Sequence, residues 1–233
     1  MTFLPLLALA LTIPEPPAGF PTGDVLTKKA IFLTSENSVP APKVVLDTAQ
    51  APDLAEWGKD AATLVSQWYP VIWNLLGTEK STPMKTLKVT FQEKQDAPAY
   101  ATGGGIFVSA PWVRAHPEDF GMMIHKMTHL VQSYPGSRST PGWLVEGIAD
   151  YTRWWRYEPE APRQKITEKN SYTNSYRVTA AFLAWVTYRY DHNLVRKLDI
   201  AMKEKRYADQ LWVDSTGKKL DDLWAEFVAA QPK

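Results

Sequence analysis

The spacing of apolar residues changes near the middle of this chain, and the change predicts its architecture. Residues 30–33 and 44–46 are brief apolar runs bounded by Pro, Ser and Asn, as short strands are. Leu87, Val89 and Phe91 alternate with polar neighbours, the pattern of a half-buried strand. Residues 103–109 read as a glycine-rich turn entering another strand. They are not a phosphate loop, because no Gly-Lys-Ser/Thr follows. One early helix is expected over residues 52–76, where Leu54, Trp57, Leu64, Val65, Trp68, Ile72 and Leu75 recur at helical spacings. Pro52 suits its start and Gly77 its stop, while Pro70 should kink or divide it. From residue 117 onward the spacing is helical, over 119–133, 143–155, 171–190, 194–205 and 220–230. Strands first and helices after predict an α+β domain. Residues 22–133 would carry the sheet and one further helix, and residues 134–233 the helical part.

The 233 residues are 45% hydrophobic, with ten Trp and ten Tyr, enough to bury a core. A formal charge of +1 with no Lys/Arg run gives no support to a nucleic-acid surface. Without cysteine, neither a disulfide framework nor a thiolate metal site is possible. Residues 1–13 form an apolar run too short for a transmembrane span, which needs about 20 residues. Ala8-Leu9-Ala10 offers the small residues of a signal-peptidase site, and residues 13–21 are Pro-rich. Residues 1–21 therefore read as a signal and linker segment of a secreted, periplasmic or cell-envelope protein. An apolar arm packed on the domain is the alternative.

Chemistry concentrates in His125-Lys126-Met127-Thr128-His129 and, 17 residues beyond His129, Glu146-Gly-Ile-Ala-Asp150. Histidines at i and i+4 share a helix face, about 6 Å apart along the axis, so both rings can meet one ion. Alone, the pair could equally be two satisfied histidines on a core-facing helix. Glu146 completes a His₂Glu set, a common catalytic zinc arrangement with an open position. Asp150, one turn further, is placed to accept a hydrogen bond from the other ring N–H of a ligating imidazole and fix its tautomer. The usual motif is His-Glu-x-x-His, whose Glu activates the attacking water; here Lys126 holds that position. As an ammonium it cannot accept a proton, and it becomes a base only if its environment depresses its pKa. Tyr176 or Tyr172 could donate to an oxyanion, although packing aromatics are the plainer reading of each. His116 and His192 lack partners in sequence and read as surface or capping residues.

Val-Leu-Asp47-Thr48, Trp68-Tyr69-Pro70, Ile106-Phe-Val-Ser109-Ala110, Ile124-His-Lys-Met-Thr-His129 and Pro141-Gly-Trp-Leu-Val-Glu-Gly-Ile-Ala-Asp-Tyr151 resemble the basic secretory protein family of plants and bacteria. Tyr176-Arg-Val-Thr-Ala-Ala-Phe-Leu183 extends the likeness, which covers most of residues 25–230. It implies a zincin-like fold, similar to the thermolysin type, with a twisted mixed sheet followed by helices. It also implies that His125, His129 and Glu146 bind Zn²⁺, and that Gly104, Gly105, Ile106, Phe107 and Val108 form an edge strand for an extended substrate. Two features depart from the family: Lys126 in place of Glu, and the near-neutral charge. The expected function is a secreted zinc metallopeptidase acting on a peptide or protein and impaired by Lys126. The alternative is a non-catalytic binding module that keeps the cleft.

Overall fold

The alternation at Leu87, Val89 and Phe91 becomes an inner strand of the sheet. A computed structural model of the chain describes residues 39–136, 140–174 and 176–231. The strand expected at residues 30–33 and the segment 1–21 lie outside these. Four strands, β1 (Lys43–Asp47), β2 (Thr86–Gln92), β3 (Ala99–Thr102) and β4 (Gly105–Ser109), are ordered β1-β2-β4-β3. β1 and β2, and β2 and β4, run parallel, whereas β3 is antiparallel to β4. Leu87, Val89 and Phe91 are fully buried, whereas Thr86 before them and Lys88 between them are exposed.

The first helix, α1 (Ala55–Leu76), connects β1 to β2 and packs on β1. Ala61, Val65, Tyr69, Ile72 and Leu76 line its buried face at three- and four-residue steps. Of the kink or division expected at Pro70, the division does not occur. Proline removes one backbone donor, but the full burial of Tyr69 and Ile72 on either side holds the helix together. The helix stops at Gly77, where a Cβ would lie 2.6 Å from the Trp73 ring.

A second correction concerns the proposed substrate strand. Gly103 (φ 55°) and Gly104 (φ 77°) both adopt positive φ, as a two-residue type I′ turn requires, and fold β3 back on β4. Ile106, Phe107 and Val108 are consequently paired on both sides, by β2 and by β3. The edge is β3. Such a hairpin closes on a hydrogen-bonded pair, here Thr102 and Gly105, and pairing alternates from there. The Ser109 N–H to Pro98 carbonyl bond (3.0 Å) keeps that phase. The backbone groups of Ala99 and Ala101 therefore face away from the sheet.

Helices follow: α2 (Ala110–Ala115), α3 (Gly121–Gln132), α4 (Gly142–Thr152), α5 (Tyr176–Arg189), α6 (Leu194–Lys203), α7 (Gln210–Thr216) and α8 (Leu220–Ala229). A π-helical turn, Arg153–Tyr157, extends α4. The sequence pattern did not mark the two short helices, α2 and α7. The α+β arrangement of sheet first and helices after is as expected. Helix α3 packs between α1, β3 and α4, and α5 covers α4. Among the described residues no helix is long and apolar enough to cross a membrane.

Candidate metal centre

Helix α3 brings His125 and His129 onto one face, with their Nε2 atoms 3.0 Å apart. Helix α4 crosses beside it and presents Glu146 Oε2 3.1 Å from each Nε2. The three side chains each offer one ligand atom, all within 4.8 Å of one another, so they could hold a metal ion. Ligands about 2.0–2.1 Å from a tetrahedral ion stand roughly 3.3 Å apart, so the observed triangle needs to open only slightly.

Hydrogen bonds behind the rings fix what the front can do. Asp150 Oδ1 lies 2.6 Å from His125 Nδ1, and a carboxylate accepts only, so this Nδ1 carries the proton. Gln132 Oε1 lies 2.8 Å from His129 Nδ1, while its Nε2 donates to the Val145 carbonyl at 2.9 Å. That second bond orients the amide, so the oxygen faces the ring and His129 Nδ1 is also a donor. In the neutral rings both Nε2 atoms are lone pairs, aimed at each other and at a carboxylate oxygen. Three acceptors converging in a partly buried site require a cation, whether a metal or displaceable protons. Gln132 was missed in the sequence, although it lies one helical turn beyond His129.

Burial would raise the Glu146 carboxyl, but hydrogen bonds from His125 and His129, formed when protons occupy their Nε2 atoms, hold it well below the usual range. Glu146 is therefore an anion at neutral pH. Lys126 is half-buried on the same helix; burial lowers its pKa, while the charges of Glu146 and Asp150 act in the opposite sense. Among the described residues the Lys126 ammonium makes no ion pair within 4.0 Å, with Glu146 or any other carboxylate.

A cleft of about 570 Å³ opens beside the cluster, lined by His125, Lys126, Glu146, Trp154, Tyr176 and Arg177 among others. Tyr176 is 51% exposed, with its ring centroid 6.1 Å from that of His125. The Glu146 charge, then burial and Asp150, raise its pKa, so its hydroxyl remains a donor. Tyr172, in contrast, bonds Asp221 at 3.0 Å and packs on Trp143 and Phe182. The remaining histidines stand apart: His116 stacks on Trp112, and His192 meets the Thr187 carbonyl. Gly105, Ile106 and Val108 are buried within the sheet and do not face the groove as an edge. Edge strand β3 takes that place: Ala99 lines the first cleft, and Ala101 and His129 line a second hollow of about 760 Å³ with Gly103 and Gly104.

No curated protein and no solved structure matches the chain significantly. The family model described as peptidase of plants and bacteria matches residues 53–227, a stretch running from α1 to α8 and holding the whole cluster. The chain belongs to this family, the basic secretory protein peptidases of plants and bacteria.

Proposed function

We propose that this chain is a secreted protein of zincin-like fold that binds Zn²⁺ through His125, His129 and Glu146. It holds an extended peptide along β3 and, with Lys126 in place of a general base, hydrolyses it poorly. The observation that carries this reading is the convergence of a carboxylate oxygen on two imidazole lone pairs, each ring fixed from behind. A tetrahedral zinc site with three protein ligands keeps one open position, and the ion polarises a carbonyl and activates water there.

The chain's own groups account for the remaining steps. The outward backbone of Ala99 and Ala101 pairs with an extended peptide, laying it across the two hollows beside the histidines. Tyr176 donates its hydroxyl to the scissile carbonyl oxygen as charge develops on it. Asp150 and Gln132 keep the rings oriented throughout. What is missing is a proton acceptor, since an ammonium at position 126 has none to offer. Burial moves Lys126 toward neutrality, but Glu146 and Asp150 oppose this.

Metal analysis and casein hydrolysis, on the native chain and on Lys126→Glu, test the reading. Zinc near one equivalent is expected in both, with weak turnover natively and a gain of about 10²–10⁴ in the variant. Strong zinc-dependent hydrolysis by the native chain, with no gain on Lys126→Glu, would mean that Lys126 itself serves as the base. The unpaired ammonium in the cleft favours a second reading, a binding module without turnover. Peptide binding with no hydrolysis even by Lys126→Glu would select it.

A further inference from the structure

The cleft beside the cluster holds two cations that, among the described residues, make no direct ion pair. Arg153, a third, is satisfied by Asp119 at 2.6 Å and Glu158 at 3.1 Å. Asp119 also accepts from Trp112 Nε1, and Glu146 and Asp150 are engaged by the histidines. Every carboxylate of this wall thus has a partner. Arg177 and Lys126 do not: among the described residues neither makes an ion pair within 4.0 Å. The Arg177 guanidinium is nevertheless held in place, 3.7 Å from the Trp154 ring centroid, and the same ring carries Arg153 at 4.1 Å. Stacking restrains the plane of a guanidinium and leaves its edge N–H groups free for a planar acceptor. Arg177 also stands in the first turn of α5, whose N-terminal dipole end adds positive potential. With a divalent ion in the cluster, the charges of Glu146 and Asp150 are compensated, and the wall is left positive.

We propose that Arg177 and Lys126 form a receptor for a peptide carboxylate, so that this cleft selects ligands carrying an acidic group next to the segment lying on β3. The inference rests on the peptide-cleft reading and deepens it by naming a ligand class. The planar Arg177 fork supplies paired hydrogen bonds to the carboxylate, and the more buried Lys126 supplies a point charge nearer the cluster. An acidic side chain within the peptide and a free C-terminal carboxylate share this chemistry.

Fluorescence anisotropy with a labelled octapeptide distinguishes the outcomes, using the zinc-loaded full chain. The probe carries a central Glu or the isosteric Gln, each as free acid and as C-terminal amide. Carboxylate probes are expected to bind at least about tenfold tighter than their neutral counterparts, with the margin shrinking as salt is raised. A margin that follows Glu against Gln assigns the group to a side chain, and one that follows acid against amide assigns it to the chain terminus. Arg177→Gln, at an exposed position, should remove most of the margin while leaving the melting temperature near native, and Lys126→Met should reduce it. Equal binding of all probes would overturn the receptor and leave the peptide cleft standing. So would a margin that survives both substitutions and disappears when zinc is removed, since it would place the carboxylate on the ion. Failure of every probe to bind would overturn the peptide cleft and the receptor together.

Discussion

Gln132 shows how one side chain can decide the chemistry of another. Its amide is fixed by the Val145 carbonyl, and its oxygen in turn fixes His129 with Nδ1 as donor and Nε2 as lone pair. Asp150 does the same for His125. Groups behind ligating histidines typically contribute 10–100-fold in metal affinity. Gln132→Leu and Asp150→Asn are accordingly each expected to weaken zinc binding by about that factor, read by competition with a chromophoric chelator. Native affinity in both variants would show that the rings need no support. The sequence exposed His125, His129, Glu146 and Asp150 because each pair is spaced within a single helix. Gln132 has a comparable spacing from His129, but a helical Gln is most often solvated, so its type carried no signal. Tyr176 is different again: its place beside His125 depends on how α5 docks, which no local pattern encodes.

At the scale of elements, the close approach of α4 and α5 rests on one missing side chain. A Cβ at Gly147 would lie 2.1 Å from Thr179 Cγ2 and 2.7 Å from its Cβ. Gly147→Ala should cost about 1–3 kcal/mol by denaturant unfolding and displace Glu146, lowering zinc affinity as well. Adding Thr179→Ser removes the nearest methyl while keeping the hydroxyl that bonds the Tyr172 carbonyl, and should recover part of both losses. If Gly147→Ala is neutral, the two helices have room that the contact denies. A buried network ties α6 to its neighbours: Asp199 accepts from Tyr134 and Lys203, and Lys203 also donates to the Leu76 carbonyl at the end of α1. Burial raises Asp199 from its ordinary 3.8 to about 6, although Lys203 and Tyr134 pull it down. The native state therefore holds this proton more tightly than the unfolded chain. Its contribution to stability is complete below about pH 4 and is lost as pH rises through about 6. Relative to Asp199→Asn, native stability should fall across that window by on the order of 2 kcal/mol, measured in chelator. A pH-independent difference would rule this out. Long periodic elements such as α1 and β2 were legible in the sequence, whereas β3 was not. Its four residues, Ala-Tyr-Ala-Thr, carry no apolar alternation strong enough to mark a strand, so nothing in the sequence displaced β4 from the edge that the family resemblance implied. At Pro70 the helix stays undivided because burial on both sides outweighs a local rule.

Over the whole molecule, the cluster joins two helices with different allegiances. Helix α3, bearing both histidines, packs on α1 and β3, whereas α4, bearing Glu146, is covered by α5 from the helical half. A divalent ion held by all three ligands would therefore bridge the sheet-bearing and helical parts, and it would favour the native state over an unfolded chain in which these residues are dispersed. At a zinc concentration one hundred times Kd, mass action contributes about 2.7 kcal/mol. For a chain of this size that corresponds to a rise in melting temperature of roughly 5–10 °C. Glu146→Ala should abolish the rise. Lys126→Met, which removes a cation from beside the site, should enlarge it at the same zinc concentration, because uncompensated positive charge at close range opposes the ion. The sign of this last effect separates two roles for Lys126. If the ammonium swings clear of the cluster, Lys126→Met leaves the zinc-dependent shift unchanged; if it competes with the ion, the shift grows. A melting temperature indifferent to zinc in the native chain and in Lys126→Met would mean that the three converging acceptors hold protons rather than metal.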